Sequence, residues 1–158
     1  MWGPDPLLTP LGIAQAVDAH EAWRSEIQHE LPEPEVHYLS PLKRAIDTWK
    51  TTFSPHRWAD RRALILEVAS SLLYSRILRT ADKLGPQHCR EEYGVHTCDL
   101  RSSLSHLRSI YPPPTFEFEP GFTEEDPLWT SDVRESKEHI VQRALTVLDR
   151  AFEEDATC

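Results

Sequence analysis

Long hydrophobic runs are missing from this chain, and so is any excess of positive charge. No apolar stretch approaches the roughly 20 residues that a membrane-spanning helix needs. The net charge is −9 over 158 residues, so the overall field draws the chain neither to phosphate backbones nor to anionic lipid. No basic stripe offsets that acidity, and neither nucleic acid nor a membrane is an expected partner. Cysteine is scarce too: Cys89, Cys98 and Cys158 are odd in number and irregular in spacing. That argues against a disulfide framework and for a reducing compartment. Glycine is rare beside proline, five against thirteen. The first residues show neither the basic nor the apolar region of a secretory signal. The expectation is a soluble, cytoplasmic, single domain, long enough to bury a core.

What is present reads as alternating elements. Thr9 and Pro10 give a cap and a first helical position, and Ile13, Ala16, Val17, His20, Trp23 and Ile27 then recur at helical spacing to about Gln28. Prolines at 32 and 34 break the chain. The β-branched and aromatic run Val36, His37, Tyr38, Leu39 predicts a strand. Ser40 and Pro41 repeat the cap-plus-proline signal, and a second helix follows with Leu42, Ala45, Ile46, Trp49 and Phe53 on one face. Strand, abrupt turn and helix is the local signature of an α/β layer fold. It sets the first turn of the second helix at the carboxyl edge of the strand, where such folds bind ligands.

Further on, residues 63–68 read as a second buried strand, and residues 69–89 are weakly patterned. A short helix is predicted within 99–110 through Leu104, Leu107 and Ile110. Residues 115–131 read as an acidic, aromatic loop whose run Glu124, Glu125, Asp126 is solvated. A last helix is expected from Asp132 to Glu154 with Ile140, Ala144, Val147, Leu148 and Ala151 inward. Trp23, Trp49, Trp58 and Trp129 are read as core and loop anchors, and His20 as a packed or surface histidine. His96 and Cys98 form one pair, short of the four ligands of a zinc site. No metal and no cofactor is expected.

The most informative window is SPLKRAIDT, starting at Ser40. An arginine near a helix N-terminus at a sheet edge has a plain physical use, because helix-end N–H groups and a guanidinium fork together hold a phosphate dianion. Arg44 occupies that position. Three further windows complete a pattern: DPLLTPLGIAQA from Asp5, REEYGVHTCDLRSS from Arg90, and EFEPGFTEEDPLW from Glu117. Together the four resemble, in order, segments of the phosphoglycerate-mutase-like branch of the histidine phosphatase superfamily, in its fungal-type subgroup.

That resemblance implies a three-layer α/β/α sandwich and metal-free phosphomonoester hydrolysis or phosphoryl transfer through a phosphohistidine. In the family two arginines neutralise the phosphoryl oxygens, a histidine takes the phosphoryl group, and an acid protonates the leaving oxygen. Carried onto this chain, Arg44 binds phosphate and Glu91 is the acid, with Glu92 and Glu67 as alternates. Arg101 is a secondary phosphate contact. The implied partner is a small phosphorylated substrate or inorganic phosphate.

The chain also departs from the family. None of its glycines is preceded by Arg-His: the residues before Gly3, Gly12, Gly85, Gly94 and Gly121 are Trp, Leu, Leu, Tyr and Pro. The C-terminal histidine motif has no match either. Residues 69–89 intervene where the resembled subgroup runs almost directly on, either as a retained in-frame intron or as a substrate-specifying cap. The expectation is therefore a partial domain, catalytically impaired for want of the nucleophile. The alternative is a non-catalytic relative that binds a phosphorylated ligand or a protein partner.

Overall fold

The strand signal at residue 36 and the helix signals around it are met by an α/β arrangement. The computed structural model describes residues 3–27, 36–53, 62–66 and 90–155. In chain order these form α1 (Pro10–Ile27), β1 (Val36–Leu39), α2 (Lys43–Phe53) and β2 (Arg62–Ile65). A 3-10 turn (Thr97–Asp99), α3 (Leu104–Ile110), β3 (Phe116–Phe118) and α4 (Lys137–Asp155) follow. Trp58, Glu67, residues 69–89, Cys89 and Cys158 lie outside the described residues. Among those described, no helix is long and apolar enough to cross a membrane.

The three strands pair in parallel in the order β1-β2-β3. Their carboxyl ends therefore share one edge of the sheet. β2 is central, and its Ala63 and Ile65 are fully buried. α2 supplies Ile46 and Trp49 to the core, which Leu39, Leu104, Leu107, Tyr111, Phe116 and Phe122 complete. Each fully buried aliphatic or aromatic side chain there contributes about 1.5–3 kcal/mol. Trp49 meets Phe116 edge-on at 5.5 Å and His37 at 5.2 Å, arrangements that aromatic quadrupoles favour. On its other side α2 packs against α1. The His20 Nδ1 lies 2.7 Å from the Thr52 carbonyl oxygen, the Thr52 hydroxyl donates to the Ala16 carbonyl at 3.4 Å, and Trp23 meets Phe53 edge-on.

Helix starts show how local signals were honoured or overridden. α1 begins as expected: the Thr9 hydroxyl accepts the Gly12 N–H at 3.0 Å and the Thr9 carbonyl accepts that of Ile13 at 2.9 Å. α2 does not. Its first residue is Lys43, not Pro41, and the cap comes from far away in sequence. Asp5 is 1% exposed, and its Oδ1 accepts the Lys43 N–H at 2.8 Å while its Oδ2 accepts the Ser102 N–H at 2.9 Å. One carboxylate thus satisfies an orphan donor at a helix N-terminus, where negative charge is favoured, and joins three segments. Asp5 takes a positive φ of 44° to do so, a conformation that aspartate tolerates better than most residues.

Three expectations are corrected. The predicted loop at 115–131 contains β3, because Phe116, Glu117 and Phe118 alternate and β2 offers an open ladder beside them. The acidic run is not solvated throughout: the Asp126 side chain is fully buried against Arg90. Of the face predicted for α4, Ile140 is half-buried, whereas Ala144 and Leu148 are exposed. Among the α4 side chains described, Arg143 is the buried one, held by its ion pair with Glu135, while Val141, Leu145, Leu148 and Phe152 are 51–69% exposed. Ile13 and Val17 of α1 are likewise about half exposed.

Asp5→Ala removes both the α2 cap and the Ser102 tie. It is expected to lower stability by about 1–3 kcal/mol, measured by urea denaturation, whereas Thr9→Ala at the solvent-exposed α1 cap is expected to cost about 1 kcal/mol or less.

Candidate anion site

β1 delivers the chain to Ser40 at the carboxyl edge of the sheet, and the first turn of α2 then presents Arg44. Ser40 does not cap that helix. Its hydroxyl donates to Glu91 Oε2 at 2.7 Å, and its contact with the Leu42 N–H is long at 3.5 Å. Glu91 Oε1 lies 3.8 Å from Arg44 Nε. The structure therefore brings together Arg44 and Glu91, two residues 47 positions apart (91 minus 44), with a hydroxyl between strand and helix fixing the carboxylate. The Arg44 side chain is 27% exposed and that of Glu91 41%, so both reach solvent.

The remaining nitrogens of Arg44 are held by the 3-10 turn. Nη1 donates to the Cys98 carbonyl at 2.7 Å and Nη2 to Asp99 Oδ1 at 3.3 Å. The other Asp99 oxygen accepts Arg134 Nη1 at 2.7 Å, and Arg134 Nε donates to Glu92 Oε1 at 2.7 Å. The Glu92 hydrogen bond, with those of Asp99, raises the Arg134 pKa against the opposing effect of burial. Of the alternative acids, Glu92 thus faces Arg134, and Glu67 lies outside the described residues.

Arg101 has different surroundings. It is 3% exposed, and its guanidinium donates to the carbonyls of Ser102, Thr123, Glu124 and Glu125 while lying 4.5 Å over the Phe122 ring. Its charge organises the acidic loop, and the bonds it makes there do not gather it with Arg44 and Glu91.

Two buried ion pairs hold the segment that carries Glu91. Arg90 grips Asp126 in a fork at 2.7 and 2.5 Å, with side chains 1% and 0% exposed, and also donates to the Asp99 carbonyl. Arg143 from α4 grips Glu135 at 2.5 and 2.6 Å and donates to the carbonyls of Arg90, at 2.8 Å, and Glu91, at 3.5 Å. Tyr93 lies within 5.7 Å of Arg90 and 5.5 Å of Arg143, ring to guanidinium. Burial, with the Glu135 charge, raises its phenol pKa against the pull of the two arginines. Gly94 has a φ of 90°, and a Cβ there would fall 1.9 Å from the Val133 carbonyl oxygen. Only glycine allows the strand-like contact in which Glu135 and Val95 donate their N–H groups to Tyr93 and Thr130.

Sequence reasoning named Arg44 and Glu91 but gave no part in the site to Asp5, Ser40, Asp99 or Arg134. Asp5 and Asp99 lie inside windows already singled out, so an unexplained acid in each was the available signal. Ser40 was read as a local cap. Nothing in the local sequence marks Arg134.

The chain is 38% identical over 151 residues to a "Probable phosphoglycerate mutase" from Arthroderma benhamiae, covering 96% of the chain and 39% of that protein. It is 32% identical over 150 residues to "Phosphomutase-like protein 3" from Candida albicans, 94% and 39% covered. It is 31% identical over 150 residues to "Phosphoglycerate mutase-like protein 1" from Arabidopsis thaliana, 92% and 52% covered. These relatives support a place in the phosphoglycerate-mutase-like family. The chain spans about two fifths to one half of their length. No family model matches it, and no solved structure does.

The Arg90–Asp126 pair makes stability pH-dependent. Burial by itself would raise the Asp126 pKa, but the hydrogen bonds and charge of Arg90, with the N–H groups of Arg101 and Leu128, outweigh it and hold the carboxyl below its ordinary 3.8. A folded pKa below the unfolded one gives stability that is complete above the unfolded value and is lost as pH falls through the folded one. Asp126→Asn is expected to lose about 3–5 kcal/mol near neutral pH, and its deficit against wild type should shrink in acid. Urea denaturation from neutral pH to about pH 3 checks this; a gap of constant size would contradict it.

Proposed function

We propose that this chain carries the phosphate-recognition part of a histidine-phosphatase domain of the phosphoglycerate-mutase-like branch. The family reaction, phosphomonoester hydrolysis or transfer through a phosphohistidine, belongs to the whole domain. In this reading the described α/β unit is part of a three-layer α/β/α sandwich. The observation that carries it is Arg44, in the first turn of α2 at the carboxyl edge of the parallel sheet, with the Glu91 carboxylate 3.8 Å from its Nε. A phosphate dianion arriving there meets a guanidinium whose stem is fixed by the helix.

Glu91 is the proton donor in this scheme. Its carboxyl stands beside Arg44, the place from which an acid serves the leaving oxygen in this scheme. The Ser40 hydroxyl keeps the carboxyl in place. Arg101, saturated by carbonyls, supports the acidic loop in preference to touching phosphate. The partner is a small phosphorylated compound or inorganic phosphate, bound without a metal.

No Arg-His-Gly run occurs within the 158 residues, which favours a second reading: the chain binds a phosphorylated ligand or partner without turning it over. Both readings predict an Arg44-dependent anion site and differ in catalysis. Saturating inorganic phosphate or vanadate is expected to raise the melting temperature of the purified chain by several degrees, and Arg44→Ala to abolish the rise. A phosphate response that survives Arg44→Ala would sink the site assignment. Hydrolysis of p-nitrophenyl phosphate decides between the readings: turnover that depends on Arg44 and Glu91 supports an enzyme, and none above background supports a binding protein.

A further inference from the structure

We infer that Asp99 is the positioning residue of the Arg44 site, an inference that rests on the phosphate reading of Arg44. A guanidinium at the end of a flexible stem recognises a tetrahedral anion best when its plane is set before the anion arrives. One short turn sets it here. The Cys98 carbonyl takes Nη1 at 2.7 Å and Asp99 Oδ1 takes Nη2 at 3.3 Å, so adjacent residues of the 3-10 turn hold both terminal nitrogens and Nε faces Glu91.

Asp99 cannot follow the guanidinium if it swings away. Its Oδ2 is held by Arg134 at 2.7 Å, its N–H donates to the His96 carbonyl at 3.1 Å, and its own carbonyl accepts from the buried Arg90. The Asp99 side chain is 9% exposed against 27% for Arg44. The carboxylate is the inner, anchored partner and the guanidinium the outer one. The chain of constraint runs from the Arg90–Asp126 pair through the backbone of residue 99 to its carboxylate, and from there to Arg44. Asp99 touches no reacting atom in this scheme; it acts through Arg44.

The test is a titration of the full chain with inorganic phosphate, in wild type, Arg44→Ala, Asp99→Ala and Asp99→Asn. It is read by the phosphate-dependent melting temperature and by the Arg44 Nε–H signal in NMR. Asp99→Ala is expected to weaken phosphate binding at least about tenfold and to merge the Arg44 signal with those of exposed arginines. Asp99→Asn, which keeps one acceptor but sets an NH2 group against one of the two arginines, is expected to lose less phosphate binding than Asp99→Ala. If wild type shows no Arg44-dependent response, the phosphate reading itself fails and takes this role with it. If that response is present and Asp99→Ala binds phosphate as wild type does, the positioning role alone fails. Equal losses in Asp99→Ala and Asp99→Asn, matched by an equal fall in melting temperature without phosphate, would make Asp99 merely structural and overturn the inference as well.

Discussion

The buried pair of Arg90 and Asp126 is the interaction on which the rest of the site depends. Taking two charges out of water costs several kcal/mol per ion, and only close geometry with further hydrogen bonds offsets it. Here the offset is concentrated on the carboxylate, while the Arg90 Nε is buried without a hydrogen-bond partner among the described residues. Asp126 accepts the Arg90 fork and the N–H groups of Arg101, Leu128 and Trp129. Arg90 in turn reaches the Asp99 carbonyl. The pair therefore ties residue 90, next to Glu91, to the carbonyl of residue 99 and to the N–H groups of residues 101, 128 and 129.

The electrostatics of the exposed face follow from that frame. Arg44 is opposed by Glu91 and Asp99, and Arg134 by Glu92 and Asp99. Two guanidinium groups face three carboxylates, so the arginines are aligned but largely compensated. An anion entering this cluster competes with the resident carboxylates for the two guanidinium groups. The relatives are about two to two and a half times as long as the segment they share with this chain.

Much of the framework was legible along the chain because it rests on local preferences. The Val36–Leu39 run is β-branched and aromatic and became β1. Thr9 and Pro10 opened α1 because a hydroxyl two to four residues from orphan donors satisfies them wherever the helix lies. Ile46 and Trp49 share a helical face and entered the core together. Arg44 could be named because a position in the first turn after a strand is defined by neighbours in sequence. Glu91 needed the family pattern as well, since nothing local separates it from Glu92.

What escaped the sequence were the places where a distant group outcompeted a near one. Ser40 carried a good cap signal, but Asp5 supplies the carboxylate to α2 and leaves the Ser40 hydroxyl to Glu91. The apolar stripe of α4 suggested an inward face, yet its Ala144 and Leu148 are exposed and, among the α4 side chains described, Arg143 is the buried one, paired with Glu135. Asp126 read as one of three solvated acids until Arg90 buried it. By itself the sequence determined the order of strand and helix, the place of Arg44 in the first turn after a strand and the resemblance of the chain to one family, because these depend on residues close together or on ordered motifs. Only the tertiary structure decided which carboxylate meets which guanidinium, because burial of a charge is settled by the partner that geometry brings within hydrogen-bond reach.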